Sequence, residues 1–444
     1  MSTGPRADHP VRASRRMADV AYGMRGALAA EAERMRSRGE HVLALNLGDP
    51  AAYGLTPAPE VVRAVREQLD HSCGYSTAKG LPSARRAVAE HYRAKGLADV
   101  RPRDVYLGNG VSELAPMSLN ALLDPRDEVL IPAPDYPMWT ASVVVAGGRP
   151  VHYPCDEHAD WYPDPAQISA RVTDRTRAIV VINPNNPTGA VWPPDVLDAI
   201  ADIARRHHLV LLADEIYADF LYDDTAHVPL ASCAPDVACL TFGGLSKRSR
   251  IPGYRMGWMA LTGPRGPARE YTDALDTLAS LRLCPNVPVQ RAVRAALAAD
   301  DTPSLTAPDG ALGRRREHIW NLLNAVPGVR SVKPQGAFYT FPSIDVRRCR
   351  IGDDDRLANE LLREERLLIV PGNALGPVAP GHFRMVTLAP TDLLTDAAGR
   401  LARFLERRTA RPSRTSSSHT PPTRKRKGVT ARPVGHHHDL GEPR

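Results

Sequence analysis

Apolar positions in this chain fall into short continuous runs through its middle and into spaced patterns nearer its ends. From Asp104 onward a beat repeats, in which an apolar run is followed by a turn of small residues and then by a helix-like stretch. The runs are Val105–Leu107, Glu128–Ile131, Ala178–Ile182, Leu209–Ala213, Ala238–Phe242 and Trp258–Leu261. Runs without polar alternation predict strands covered on both faces, and their alternation with helices predicts an α/β body on a mostly parallel sheet. In such sheets ligands gather at the carboxyl ends of the strands.

The flanks read differently. Residues 17–38, with Met17, Val20, Met24, Leu28 and Met35 among Ala, Glu and Arg, predict an amphipathic helix that docks on the body or on a second subunit. The run from Val42 predicts a short strand ending at Gly48, where a missing side chain lets a ligand approach the backbone. Pro59–Leu69 and Leu81–Lys95 predict helices, the second with Pro82 in its first turn. Beyond Leu261 an Ala/Leu/Arg-rich region predicts helices to about Ala299, and Asp300–Gly310 predicts a connection. A helix from Arg314, strand-like runs at Val329–Val332, Ala337–Phe341, Leu367–Val370 and His382–Thr387, and a closing helix to about Arg408 predict a second, α+β domain. The expected organisation is a disordered N-terminus (1–16), an arm with part of the small domain (17–72), a large domain (73–300), a small domain (301–408) and a disordered basic tail (409–444).

Composition narrows the function classes. A chain of 444 residues has ample length for a packed core. Its net charge of +7 sits at the ends: the stretch after Arg408 holds eight basic residues against two acids, and Met1–Arg16 holds four against one. The middle is therefore slightly acidic, and no nucleic-acid-binding body is predicted. A DNA-binding regulator would need a helix-turn-helix domain, for which Met1–Arg16 is too short. The six cysteines are scattered without a C-x-x-C pair, which predicts reduced thiols and neither disulfide nor metal site. Without a long apolar window or an apolar signal core, a cytoplasmic protein with no membrane partner is expected.

Candidate chemistry lies where the runs end. Lys247 follows the run Ala238–Phe242 and the small residues Gly243-Gly244-Leu245-Ser246. A neutral amine held there can form a Schiff base with an aldehyde, although a lone lysine after a strand is more often an ordinary solvated one. Gly110-Val111-Ser112 offers amide groups and a hydroxyl at a helix start, a generic phosphate site. Tyr136 stands in the stiff turn Pro134-Asp135-Tyr136-Pro137, able to cover a flat ring or merely to pack. Asn183-Pro184-Asn185-Asn186-Pro187-Thr188-Gly189 is an immobilised loop, for binding or for a turn. Asp214 follows an apolar strand, where an unpaired carboxylate is costly and calls for a buried cation. Arg384, within an apolar run, calls for a carboxylate, from a ligand or from a local acid.

These groups together suit pyridoxal 5'-phosphate. With the Asn-Pro-x-Asn-Pro-Thr-Gly, Asp-Glu-x-Tyr and Ser-Lys-(x)7-Arg elements in order, the chain from about residue 17 to 408 resembles the class I, fold type I aminotransferases. Gly-Asn-Gly-Val-Ser-Glu-Leu, Ala-Pro-Asp-Tyr-Pro and Ala-Ser-Leu-Arg-Leu-Cys resemble their bacterial alanine (glutamate-pyruvate) branch. The resemblance implies a seven-stranded large-domain sheet, a homodimer, and amino-group exchange between a small amino acid and a 2-oxo acid. It implies that Lys247 carries the cofactor and shuttles the Cα proton, and that Asp214 keeps the pyridine nitrogen protonated. Tyr217 and Asn186 would bond the phenolic oxygen, and Tyr136 would cover the ring. Val111, Ser112, Ser246 and Arg255 would surround the phosphate, with Tyr75 reaching it from the other subunit. Gly48, Asn186 and Arg384 would hold the substrate carboxylate. A β-eliminating lyase, or a biosynthetic aminotransferase for an unusual amino acid, shares these motifs. Three departures stand out: Gly244 where many relatives carry a phosphate-binding serine, Val111 with only its amide to offer, and Arg248 and Arg250, which are expected to add charge at the entrance. Tyr53 and Tyr339 are both candidates for the wall beside the substrate's Cβ.

Overall fold

The burial expected on both faces of the central runs is visible residue by residue. In Thr176–Ile182, Ala178, Val180 and Ile182 enter one hydrophobic core while Ile179 and Val181 enter another. The computed structural model describes residues 11–20 and 26–410. Expectations for residues 1–10 and 411–444, and for Met24, lie outside the described residues.

The central sheet contains β1 (Val105–Gly108), β2 (Glu128–Ala133), β3 (Arg149–Asp156), β4 (Tyr162–Pro163), β5 (Thr176–Ile182), β6 (Val210–Asp214), β7 (Cys239–Gly244) and β8 (Gly257–Thr262). Its order is β1-β8-β7-β6-β5-β2-β3-β4. The strands from β7 through β3 pair in parallel, β8 runs against both its neighbours, and β4 turns back along β3. The sheet has eight strands, one more than the seven implied, because the two-residue β4 extends the edge. The sequence pattern also passes over β3. Its residues Arg149-Pro-Val-His-Tyr-Pro-Cys-Asp156 mix polar and apolar positions with two prolines, and burial along it is correspondingly patchy.

A third core gathers Leu312, Ile319, Phe338, Phe383, Leu394, Leu401 and Phe404 with Leu43, Leu45 and Tyr217. Its strands are short because the chain changes partner every few residues. The apolar run from Val42 yields only Leu43–Ala44, paired in parallel with Leu367–Leu368. The run from Leu367 splits, and Val370–Pro371 pairs instead with Phe383–Val386, which also receives Tyr339–Thr340. The connection expected at Asp300–Gly310 contains a one-turn helix, Thr302–Thr306. The N-terminal helix is shorter than its pattern, Ala27–Ser37, preceded by a 3-10 turn at Arg15–Asp19. Ala32 and Met35 dock against Val42, Leu362 and Leu368, whereas Met17 stays 48% exposed. No helix among the described residues is long and apolar enough to cross a membrane.

Candidate active site

Five strands end on one cavity of about 650 Å³, and the loops that follow them supply its lining. Gly48, Val111, Ser112, Tyr136, Asn186, Asp214, Tyr217, Ser246, Lys247 and Arg255 all contribute to the wall. Residues far apart in sequence thus converge at the carboxyl edge of the sheet, the position a parallel topology favours.

Lys247 lies in the short helix Leu245–Arg248 directly after β7, and its Nζ donates to the Gly48 carbonyl at 2.8 Å. The rings of Phe338 and Tyr217 stand 5.4 and 5.9 Å from the amine. At the end of β6, Asp214 is 3% exposed and accepts from the Trp139 indole at 2.9 Å and from the Ile216 amide at 3.3 Å. Among the described residues no basic side chain forms an ion pair with it, so the cation expected beside this carboxylate is not found there. Desolvation pushes the Asp214 carboxyl up to about 6, against the lowering pull of Trp139, the Ile216 amide and Lys247.

That shift has a testable sign. An unfolded aspartate titrates near 3.9, so burying Asp214 costs stability in full above about pH 6, and the cost is relieved as the pH falls from there toward 3.9. Relative to Asp214→Asn, the ligand-free wild type is expected to gain about 1.5 kcal/mol of unfolding free energy between pH 8 and pH 5. Urea titrations of both proteins at the two pH values measure this. A difference that does not change with pH would show that Asp214 titrates normally.

Across the cavity, Gly110 begins the helix Val111–Asn120 with φ of 88°. A side chain there would be strained and would also collide with Arg255. Arg255 donates to the Ser112 hydroxyl at 2.8 Å and to the Asn109 carbonyl at 3.0 Å. A helix start, a guanidinium and the Ser112 and Ser246 hydroxyls make a cradle suited to an anion. Gly244 has its own reason: a Cβ there would lie 2.9 Å from the Met256 carbonyl and 3.1 Å from the Gly257 Cα, because β7 and β8 pair closely at this level.

Arg384 lies behind the cavity wall, fully buried. It donates to Asn186 Oδ1 at 2.9 Å and to the Asn46 carbonyl at 2.8 Å, and its Nε has no partner among the described residues. It makes no ion pair with an acid of the described residues, which removes the local-acid alternative. Tyr217, 3% exposed, bonds the Tyr339 hydroxyl at 2.8 Å. Tyr339 lines the cavity, whereas Tyr53 instead donates to the Ala44 carbonyl at 2.7 Å and lies outside the lining. Tyr75 is 83% exposed and does not reach the cavity of its own chain.

Two sequence expectations need revision. Arg248 and Arg250 do not face the entrance: both are nearly buried. Arg248 pairs with Asp219 at 2.9 Å and Asp300 at 3.2 Å, and Arg250 grips Asp301 through both terminal nitrogens at 2.8 and 2.6 Å. Trp139, which clamps Asp214, escaped sequence reading altogether. It sits in the apolar helix Met138–Val145, where a tryptophan signals packing and nothing signals which acid its N–H will meet.

The residues present suit pyridoxal phosphate: an amine, an anion cradle, and a buried carboxylate lacking a cation. Comparison with known proteins agrees. The profile of the family described as "Aminotransferase class I and II" matches residues 40–401. The glutamate-pyruvate aminotransferase AlaA of Escherichia coli is 47% identical over 397 residues, covering 89% of this chain and 98% of that protein. An alanine aminotransferase of Mycobacterium tuberculosis is 48% identical over 394 residues, covering 88% and 92%. Among solved structures, an aminotransferase from Escherichia coli superposes with a TM-score of 0.88 at 46% identity, covering 90% of this chain and 99% of that one. By sequence, fold and the groups gathered at the sheet's edge, the chain belongs to the class I and II aminotransferases.

Proposed function

We propose that this aminotransferase uses pyridoxal 5'-phosphate to exchange an amino group between L-alanine and 2-oxoglutarate, giving pyruvate and L-glutamate. The observation that carries the cofactor is Asp214, a buried carboxylate facing the cavity with no ion-pair partner among the described residues, opposite Lys247 and the anion cradle. The substrate pair rests on the names of the bacterial relatives. It is also supported by a wall in which apolar Leu47, Ile216 and Met138 stand beside Tyr339, and in which Lys247 and Arg255 are the basic residues.

When bound, pyridoxal phosphate supplies an aldehyde and an electron-withdrawing ring. Lys247 would hold that aldehyde and would serve as the base for the substrate's Cα proton; its amine donates to the Gly48 carbonyl at the cavity wall. Asp214 offers its carboxylate to the ring nitrogen, with Trp139 fixing its orientation. Tyr217 and Asn186 address the phenolic oxygen, and Tyr136 covers the ring. Val111, Ser112, Ser246 and Arg255 hold the phosphate. Arg384, with Asn186 and Gly48, takes the substrate carboxylate. The two half-reactions then run in alternation.

A homodimer belongs to the same reading. Tyr75, Leu69, Leu281 and Leu283 are all more than half exposed. Arg282 and Arg291 tie the two segments that carry them together, through the Ala78 and His71 carbonyls. Such an apolar surface suits a second copy, which would deliver Tyr75 to the neighbouring phosphate site. The separate third core supports reading residues 301–408 with 17–72 as a small domain that bears Arg384, and 73–300 as the cofactor-bearing domain.

Absorbance of the purified protein with pyridoxal phosphate tests this function. A visible band that L-alanine converts to a near-ultraviolet one, with pyruvate released and glutamate formed on adding 2-oxoglutarate, is the expected result. Pyruvate with free ammonia, formed from a β-substituted amino acid, would replace transfer by elimination. A protein that stays colourless would overturn the cofactor.

A further inference from the structure

Tyr339, in the short strand Tyr339–Thr340, touches three groups that the proposed function puts to use. Its hydroxyl lies 2.8 Å from that of Tyr217, and its ring packs against the Arg384 guanidinium, 4.5 Å from centroid to carbon. A Cβ at residue 48 would collide with the Tyr339 oxygen, so glycine at 48 and tyrosine at 339 are fitted to one another. The Tyr339 side chain is 3% exposed.

A phenol has a single proton to give. If Tyr217 donates its proton to an atom bound in the cavity, its bond to Tyr339 survives only with Tyr339 as donor. Tyr217 then accepts from one side while donating to the other, and such a chain strengthens the outer bond by some 10–30%. The ring has a separate effect. Asn186 Oδ1 and the Asn46 carbonyl accept from its terminal nitrogens, and the negative face of the Tyr339 ring, over which the guanidinium carbon lies, attracts it as well.

We propose that Tyr339 is a positioning residue of the amino-transfer site, setting the donor strength of Tyr217 through its hydroxyl and the placement of Arg384 through its ring. The proposal rests on the cofactor and carboxylate roles given above. It joins two ends of the site in one side chain.

Tyr339→Phe keeps the ring and removes the hydroxyl, while Tyr339→Leu removes both. Each is purified with pyridoxal phosphate beside the wild type, and the pH midpoint of the visible band is recorded. Affinity for propionate, a carboxylate without an amine, is read from the same spectrum. A weaker Tyr217 donor leaves the bonded oxygen more basic, so Tyr339→Phe is expected to raise the midpoint by about half a pH unit. It should bind propionate within about twofold of wild type, its ring being intact. Tyr339→Leu should share the raised midpoint and bind propionate about tenfold more weakly. An unmoved midpoint in Tyr339→Phe overturns the hydroxyl role, and equal propionate affinity in the two variants overturns the ring role. Should Tyr339→Leu fail to fold, as a melting curve would reveal, the midpoint of Tyr339→Phe still decides the first. Wild type that stays colourless overturns the cofactor reading itself, an outcome distinct from either.

Discussion

Lys247→Ala is expected to lower the rate of amino-group transfer by about ten-thousandfold or more, because one amine performs two tasks. In the proposed function it is both the nucleophile that would hold the cofactor's aldehyde and the base for the Cα proton. No neighbour can take over: the rings of Tyr217 and Phe338 surround the amine, and Arg255 is engaged with Ser112 and the Asn109 carbonyl across the cavity. The fold should survive, since Lys247 is only half-buried and, among the described residues, its side chain bonds the Gly48 carbonyl alone. Single-turnover mixing with L-alanine, beside a melting curve, measures both. Residual turnover within tenfold of wild type would move the chemistry to another residue.

Arg384→Ala is expected to raise KM for amino acid and oxo acid alike, each by about a hundredfold, with a smaller change in kcat. Both substrates present the same α-carboxylate, so a residue that reads this group affects both half-reactions. Arg384→Lys should not restore affinity. An ammonium cannot reach Asn186 and the Asn46 carbonyl together while still facing a carboxylate through two parallel N–H groups. The four half-saturation constants across the variants decide the matter. A rise confined to one substrate would assign Arg384 to a side chain instead of the shared carboxylate.

How much of this was legible depended on how local each signal was. Continuous runs such as Ala178–Ile182 announce burial on both faces, and the strands came out within a residue or two of those runs. β3 was passed over because its prolines and charged residues break that pattern; its place is held by pairing with β2, which no local stretch encodes. The motif residues at strand ends were readable, and all but Arg384 and Tyr75 line one cavity. The supports between them were not. Arg384 meets Asn186 across 198 positions, and Trp139 meets Asp214 across 75, so neither pair leaves a mark in either neighbourhood. Arg248 and Arg250 misled for the same reason: a charge beside the lysine looks exposed until distant acids, Asp219 before it and Asp300 and Asp301 after it, are folded against it.

Those same pairs constrain how the chain can be altered. Consecutive aspartates, Asp300 and Asp301, are gripped by arginines two positions apart on the lysine loop, and Asp219 lies between Arg248 and Lys95. Anyone grafting the lysine loop of a less basic relative into this scaffold would take the arginines from Asp300 and Asp301 and leave Asp219 with Lys95 alone, unless those positions were exchanged in the same step. The loop is therefore not a portable cassette. Variation at 248 and 250 is coupled to positions 300 and 301 downstream and to position 219 upstream.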